Sequence, residues 1–185
     1  MVNPLLVRAL PEHLAERRQA IEVVENIGFF KRLAAIVEAD LAALAADKIP
    51  PLWRDSPVTI GLAFGWADAR QQLPMLSGRL EARVDAVCQR CLEPCVLQIE
   101  QSVRLLLVHE QTAGSSDSGF EIWEPDEETV RPFDIVEELL VMSLPMAAMH
   151  ARAENCGRLA ARLAPARQNT ARPFADLKAR IDQTD

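Results

Sequence analysis

Cys88-Gln-Arg-Cys91 is the sharpest chemical signal in this chain of 185 residues. Two thiolates separated by two residues at the tip of a hairpin can face one ion, about 2.3 Å from each sulfur in the case of zinc. Such a pair is half of a tetrahedral site. His150 and Cys156 can supply the other half, with five residues between them, at the upper end of the spacing that zinc-finger pairs use. Cys95 is a spare ligand candidate. Four protein ligands leave no open position for a substrate, so the cofactor expected here is a structural zinc ion. Ordinary thiols are the plainer alternative. A thioredoxin-like redox pair fits less well, because it needs a helix after the motif to lower a thiol pKa, and Leu92-Glu93-Pro94 reads as a turn into another strand.

No other constellation reaches catalytic specificity. The chain has no G-x-S-x-G, no phosphate-cradling Gly-rich loop and no H-E-x-x-H. His13 falls on a surface helix and His109 at a strand end. The paired acids around Glu127 and Glu137 read as solvated charge. Trp53, Trp66 and Trp123 are expected to pack, since a chain without tyrosine has few platforms on which bases could stack. The protein is not expected to be an enzyme.

The elements that must position the cysteines follow from apolar spacing. Val58, Ile60, Leu62, Phe64 and Trp66 alternate with small or polar residues, as do Leu80, Ala82, Val84 and Ala86. Leu97, Ile99, Val103, Leu105 and Leu107 continue the pattern with one polar break at Gln101. These are three half-buried strands, with Leu73 to Ser77 as a further one, and the last two flank the segment from Cys88 to Cys95. Short connections favour an antiparallel meander. The first fifty residues read as helical: Pro11 and Glu12 open a short helix to about Ala20. A stripe of Phe29, Phe30, Leu33, Ile36, Val37, Leu41 and Leu44 forms a second helix that docks on the sheet. Asp134 and Glu137 resemble a capping box opening a helix with Ile135, Val136, Leu139 and Leu140 inward, and Pro145 stops it. The expected fold is α+β, an antiparallel meander sheet with packed helices and a Cys-containing hairpin tip.

Composition sets the outer limits. Apolar residues make up 49% of the chain, enough for a sizeable core in one domain, placed at 1–165, followed by a mobile basic tail at 166–185. Lys plus Arg number 20 against 27 Asp plus Glu, a formal charge of -7, so the molecule as a whole repels phosphate backbones. The acidity is concentrated, with 10 acidic residues against Arg131 alone between His109 and Glu138, while residues 150–185 carry 7 basic and 4 acidic. No apolar run approaches the roughly 18 residues of a membrane span, and no leader pattern opens the chain. A soluble cytoplasmic protein is expected, and in that reducing compartment the cysteines are thiols or metal ligands.

Taken in order, VCQRCLEP between two strands, FDIVEELLVMSLPMAAMH, the lone Cys156 and RPFADLKAR resemble the YceD family, the large ribosomal RNA subunit accumulation proteins. The resemblance covers Val58 to Leu177, with a weaker match in LPEHLAERR. It implies a bacterial cytosolic factor that supports synthesis, processing or stability of 23S ribosomal RNA. The family's cysteine pair falls on Cys88 and Cys91, its Leu-Pro on Leu144 and Pro145, and its histidine and late cysteine on His150 and Cys156. The expected partners are a 23S rRNA precursor or ribosomal and processing proteins. Arg79, Arg83, Arg90 and Arg104, on or beside the hairpin strands, are the nucleic-acid-binding candidates, together with the tail from Arg152 to Arg180. The acidic stretch EIWEPDEE would serve an adaptor that binds a basic protein.

Overall fold

The computed structural model describes residues 3–108, 119–125 and 127–159. His109, the loop through Ser118, Asp126, the tail boundary at 165 and the terminal helix expected at 175–181 lie outside the described residues. The chain divides into two compact units, 1–150 and 151–185.

In the first unit a five-stranded sheet has the order β1 to β5, with β1 Ala20–Asn26, β2 Pro57–Trp66, β3 Pro74–Val87, β4 Pro94–Leu107 and β5 Glu121–Trp123. The first four strands form an antiparallel meander, as the alternation predicts. Val58, Ile60, Leu62 and Phe64 are buried on one face, opposite outward-facing Thr59 and Ala63. Leu80, Val84, Ile99 and Val103 continue the same buried face. Each large apolar side chain so removed from water contributes about 1.5–3 kcal/mol. Helices α1 Pro11–Glu16, α2 Lys31–Leu41 and α3 Pro132–Met142 accompany the sheet, and the last two lie against each other and the core. Phe30 of the α2 N-cap stacks on Phe133 at 5.3 Å between centroids, and Phe29 meets Phe133 edge-on at 5.2 Å. No helix among the described residues is long and apolar enough to cross a membrane.

Five sequence-based expectations need correction. The helix expected to reach Ala20 stops at Glu16, because Arg18 takes a left-handed φ of 46 and the chain turns into β1. β1 carries little periodic signal: it is an edge strand in which Ile21 is buried while Val24 is 65% exposed. The stretch Leu73 to Ser77 is no separate strand but the start of β3. The two halves read as distinct because Gly78, between Leu76 and Leu80 on the core face, leaves a gap in the pattern. A Cβ on Gly78 would stand 2.0 Å from the carbonyl oxygen of Gly61, so the close passage of β2 requires glycine there. Ile36, placed inward on the α2 stripe, is 42% exposed. Finally, Asp134 and Glu137 do not form a capping box. Asp134 pairs with the Arg131 guanidinium, Nε to Oδ2 at 2.9 Å, and Glu137 Oε1 accepts from the backbone N–H of Arg32 at 2.7 Å. Glu137 therefore caps the first turn of the other helix, α2, from a buried position. β5, parallel to β4 at Leu105–Leu107, is an addition that the acidic composition of its segment hid.

The polar break at Gln101 has a local cause. Its side chain reaches the end of α3, where Gln101 Oε1 lies 3.3 Å from Ser143 Oγ, whose hydroxyl donates to the Leu139 carbonyl at 2.7 Å.

In the second unit, residues 153–159 form 3-10 turns kinked at Cys156 and Gly157, and the Cys156 side chain is buried.

Candidate metal centre

The Cys-x-x-Cys segment stands where the alternation put it. β3 ends at Val87, β4 begins at Pro94, and Cys88 to Glu93 turn the hairpin. The N–H of Cys88 donates to the Glu93 carbonyl at 3.0 Å and that of Leu92 to the Cys88 carbonyl at 2.8 Å. Leu92 takes a φ of 58, a left-handed conformation uncommon for leucine, to close this turn. Distant segments fasten the tip. Asp40 of α2 accepts from the N–H of Val87 at 2.7 Å, Lys48 pairs with Glu93 at 2.7 Å, and the N–H of Gln89 donates to the Ala148 carbonyl at 2.8 Å. No sequence spacing points to these anchors, since each spans more than forty residues.

His150 is oriented from two sides. Its Nε2 lies 3.2 Å from the Pro94 carbonyl, which only accepts, so the ring proton belongs on Nε2. That leaves the lone pair of Nδ1 turned toward Cys91 Sγ, 3.5 Å away. A carbonyl holding the second nitrogen is the usual support for a metal-ligating histidine. The ligand atoms of Cys88, Cys91 and His150 all lie within 4.8 Å of one another. A tetrahedral ion with bonds of about 2.3 Å to sulfur spaces its ligands roughly 3.8 Å apart, so the group needs to contract by about 1 Å at most.

The electrostatics favour the same use. Burial pushes the Cys88 thiol up, but hydrogen bonds from the backbone N–H groups of His150, Arg90 and Cys91 outweigh it and hold the thiol at about 6, well below the ordinary 9.0. A thiolate ready near neutral pH is the form that binds metal. Cys95 is the opposite case. It is buried and outside the group, and burial, then the nearby Cys88 and Asp40, push its thiol up to about 11. Two sulfurs and one imidazole of the first unit form a soft donor set that suits zinc, and these residues fit that ion.

Residues 76–181, more than half of the chain, match the family described as large ribosomal RNA subunit accumulation protein YceD. The chain belongs to the YceD family. No curated protein and no solved structure matches it. The matched part of this YceD-family chain contains β3 from its third residue, the knuckle, β4, α3, His150 and Cys156. α2, with the Asp40 anchor, precedes it.

The arginine candidates do not gather as the cysteines do. Arg79 and Arg83 share the outward face of β3 with Glu81 and Asp85, and Arg104 lies on the outward face of β4. Arg79 is bound to Glu81 at 2.7 Å and to Glu100 at 2.8 Å, so its charge is already balanced. Arg104 covers the Phe120 ring at 4.7 Å. Arg90 stands at the knuckle, 3.5 Å from the Met149 sulfur. Trp53 is buried and Trp123 packs against the core, as expected.

Proposed function

We propose that this YceD-family chain is a non-enzymatic cytoplasmic factor that supports synthesis, processing or stability of 23S ribosomal RNA in large-subunit assembly. Within it, Cys88, Cys91, His150 and Cys156 hold a structural zinc ion. The observation that carries the reading is the family match together with the convergence of the ligand atoms of Cys88, Cys91 and His150. Zinc held by four protein ligands has no open coordination position, and its role is to fix the hairpin tip. The chain's own residues prepare the site: backbone N–H groups favour the Cys88 thiolate, and the Pro94 carbonyl sets the His150 tautomer.

Of the four arginines, Arg83, on the outward face of β3, and Arg90, at the knuckle, are the proposed RNA contacts; Arg79 is neutralised by two acids. Depletion of the protein from growing cells tests the function. The 23S to 16S ratio is expected to fall and to recover with the wild-type gene but not with C88S/C91S; an unchanged ratio on depletion overturns the reading. Native mass spectrometry of the full chain is expected to show one zinc ion, lost on chelation.

A further inference from the structure

β1, at the edge of the sheet, has open backbone groups, and alternation says which. The carbonyl of Gln19 accepts from the N–H of Phe64 at 2.8 Å, and the N–H of Ile27 donates to the Ser56 carbonyl at 3.0 Å. These two bonds bracket β1, so Ile21, Val23 and Glu25, in step with them, also turn their backbone groups toward β2. Ala20, Glu22, Val24 and Asn26 turn theirs away from it. Among the described residues nothing outside β1 and β2 bonds to those groups. The strand pairs residue for residue with β2, with no bulge, proline or lysine to block the open side.

The side chains of these residues decide what can pair with them. Val24 is 65% exposed, more than any other large apolar residue of the sheet among the described residues. Glu22 is exposed, and Asn26 is exposed with its Oδ1 accepting the N–H of Phe29 at 2.9 Å, which leaves its amide NH2 to donate. An antiparallel partner must set open residues opposite open residues, and a second β1 can do so about three twofold axes. An axis at Glu22 brings two carboxylates face to face, and one at Val23 sets Glu22 against Val24. An axis at Val24 lets the two valines cover each other and brings each Glu22 carboxylate to the amide of the other chain's Asn26. The remaining acid, Glu25, already accepts from Asn3 Nδ2 at 2.6 Å and would stand opposite Val23, not another acid.

We infer that β1 pairs antiparallel with β1 of a second copy of this chain about a twofold axis at Val24, joining the two sheets into one. The open N–H and C=O groups supply the attraction, as in any added strand. The valine pair covers apolar surface that is otherwise in water, and the Glu22 to Asn26 contacts fix the register. This contact goes beyond the RNA role proposed above and needs neither the metal nor RNA.

The test is sedimentation equilibrium of the full chain in reductant over a concentration series. The wild type is expected to show a monomer–dimer equilibrium. Val24→Lys and Val24→Glu each place like charges at the axis and are each expected to weaken self-association at least tenfold, with the circular dichroism spectrum unchanged because Val24 faces water. An equimolar mixture of V24K and V24E is expected to associate again, since opposite charges then meet. Ser102→Lys, exposed on β4 away from the edge, is expected to associate like the wild type. A wild type that stays monomeric at its highest soluble concentration would overturn the inference, as would dimers that persist in both V24K and V24E. Failure of the mixture to associate would do the same, as would an equal loss in S102K. Because the readout is molar mass, its failure leaves the 23S to 16S result untouched.

Discussion

At the tip of the β3–β4 hairpin, side chains as far apart in sequence as Cys88 and His150 bring their ligand atoms together and are mostly buried. A few residues along the same strands, Arg79 stays exposed, its charge neutralised between the exposed Glu81 and Glu100. Both regions show clusters of reactive or charged residue types. The difference is convergence and loss of water, which make polar groups interact strongly and require each to be matched. An exposed ion network on an open sheet face contributes little and selects no partner. A search for function by counting arginines would have favoured the weaker region.

The largest effect expected from breaking this contrast is at the tip. Chelation of the purified protein, or Cys88→Ser, should lower the melting temperature by about 10 °C or more, measured by thermal denaturation in reductant. No shift on chelation would place the cysteines on the same footing as the arginines. Lowering the pH should act in the same direction. The folded Cys88 thiol titrates at about 6 and the unfolded one at 9.0, so its contribution is complete above about 9 and is lost as pH falls through 6. Apparent zinc affinity, measured by competition with a colorimetric chelator, should therefore weaken progressively as pH falls below about 6.

Next in size is Gly78→Ala, which forces a Cβ to within 2.0 Å of the Gly61 carbonyl and should cost about 3 kcal/mol or more in urea denaturation. Both regions depend on this strand pairing, so a small cost would mean that the hairpin tolerates a shift between β2 and β3.

A smaller loss is expected for Glu137→Ala, about 1–3 kcal/mol, because the Arg32 N–H is left without its acceptor; Glu137→Gln keeps an acceptor and should lose less than half as much. Smallest of all, Arg79→Ala should change stability by less than about 0.5 kcal/mol, since its partners are exposed. A large loss at Arg79 would mean that the open face is a structural unit and not a solvated one.

The parts of this molecule legible in the sequence are those governed by neighbours close along the chain. The alternation around Leu80, Val84, Ile99 and Val103 announces the hairpin, and with it the position of Cys88 and Cys91. The inward faces of α2 and α3 follow from three-and-four spacing, except that Ile36 is exposed. What remained hidden depends on contacts distant in sequence or on the lack of a side chain. Gly78 interrupts the pattern because β2 passes too close for a Cβ. Val24 faces water because β1 is at an edge. Glu137, three residues after Asp134, imitates a local cap while serving another helix 105 residues away in sequence. The anchors Asp40, Lys48 and Ala148 share that difficulty.

The acid that closes α2 is carried by α3, so α2 does not complete its own opening turn. A fragment cut before Pro132 would retain every residue of α2 and still leave its opening turn frayed. Trimming to the family-matched portion from residue 76 would remove α2 altogether, leaving Glu137 interred with nothing to hold. The smallest autonomous piece of this protein must begin well ahead of the segment that reveals its ancestry.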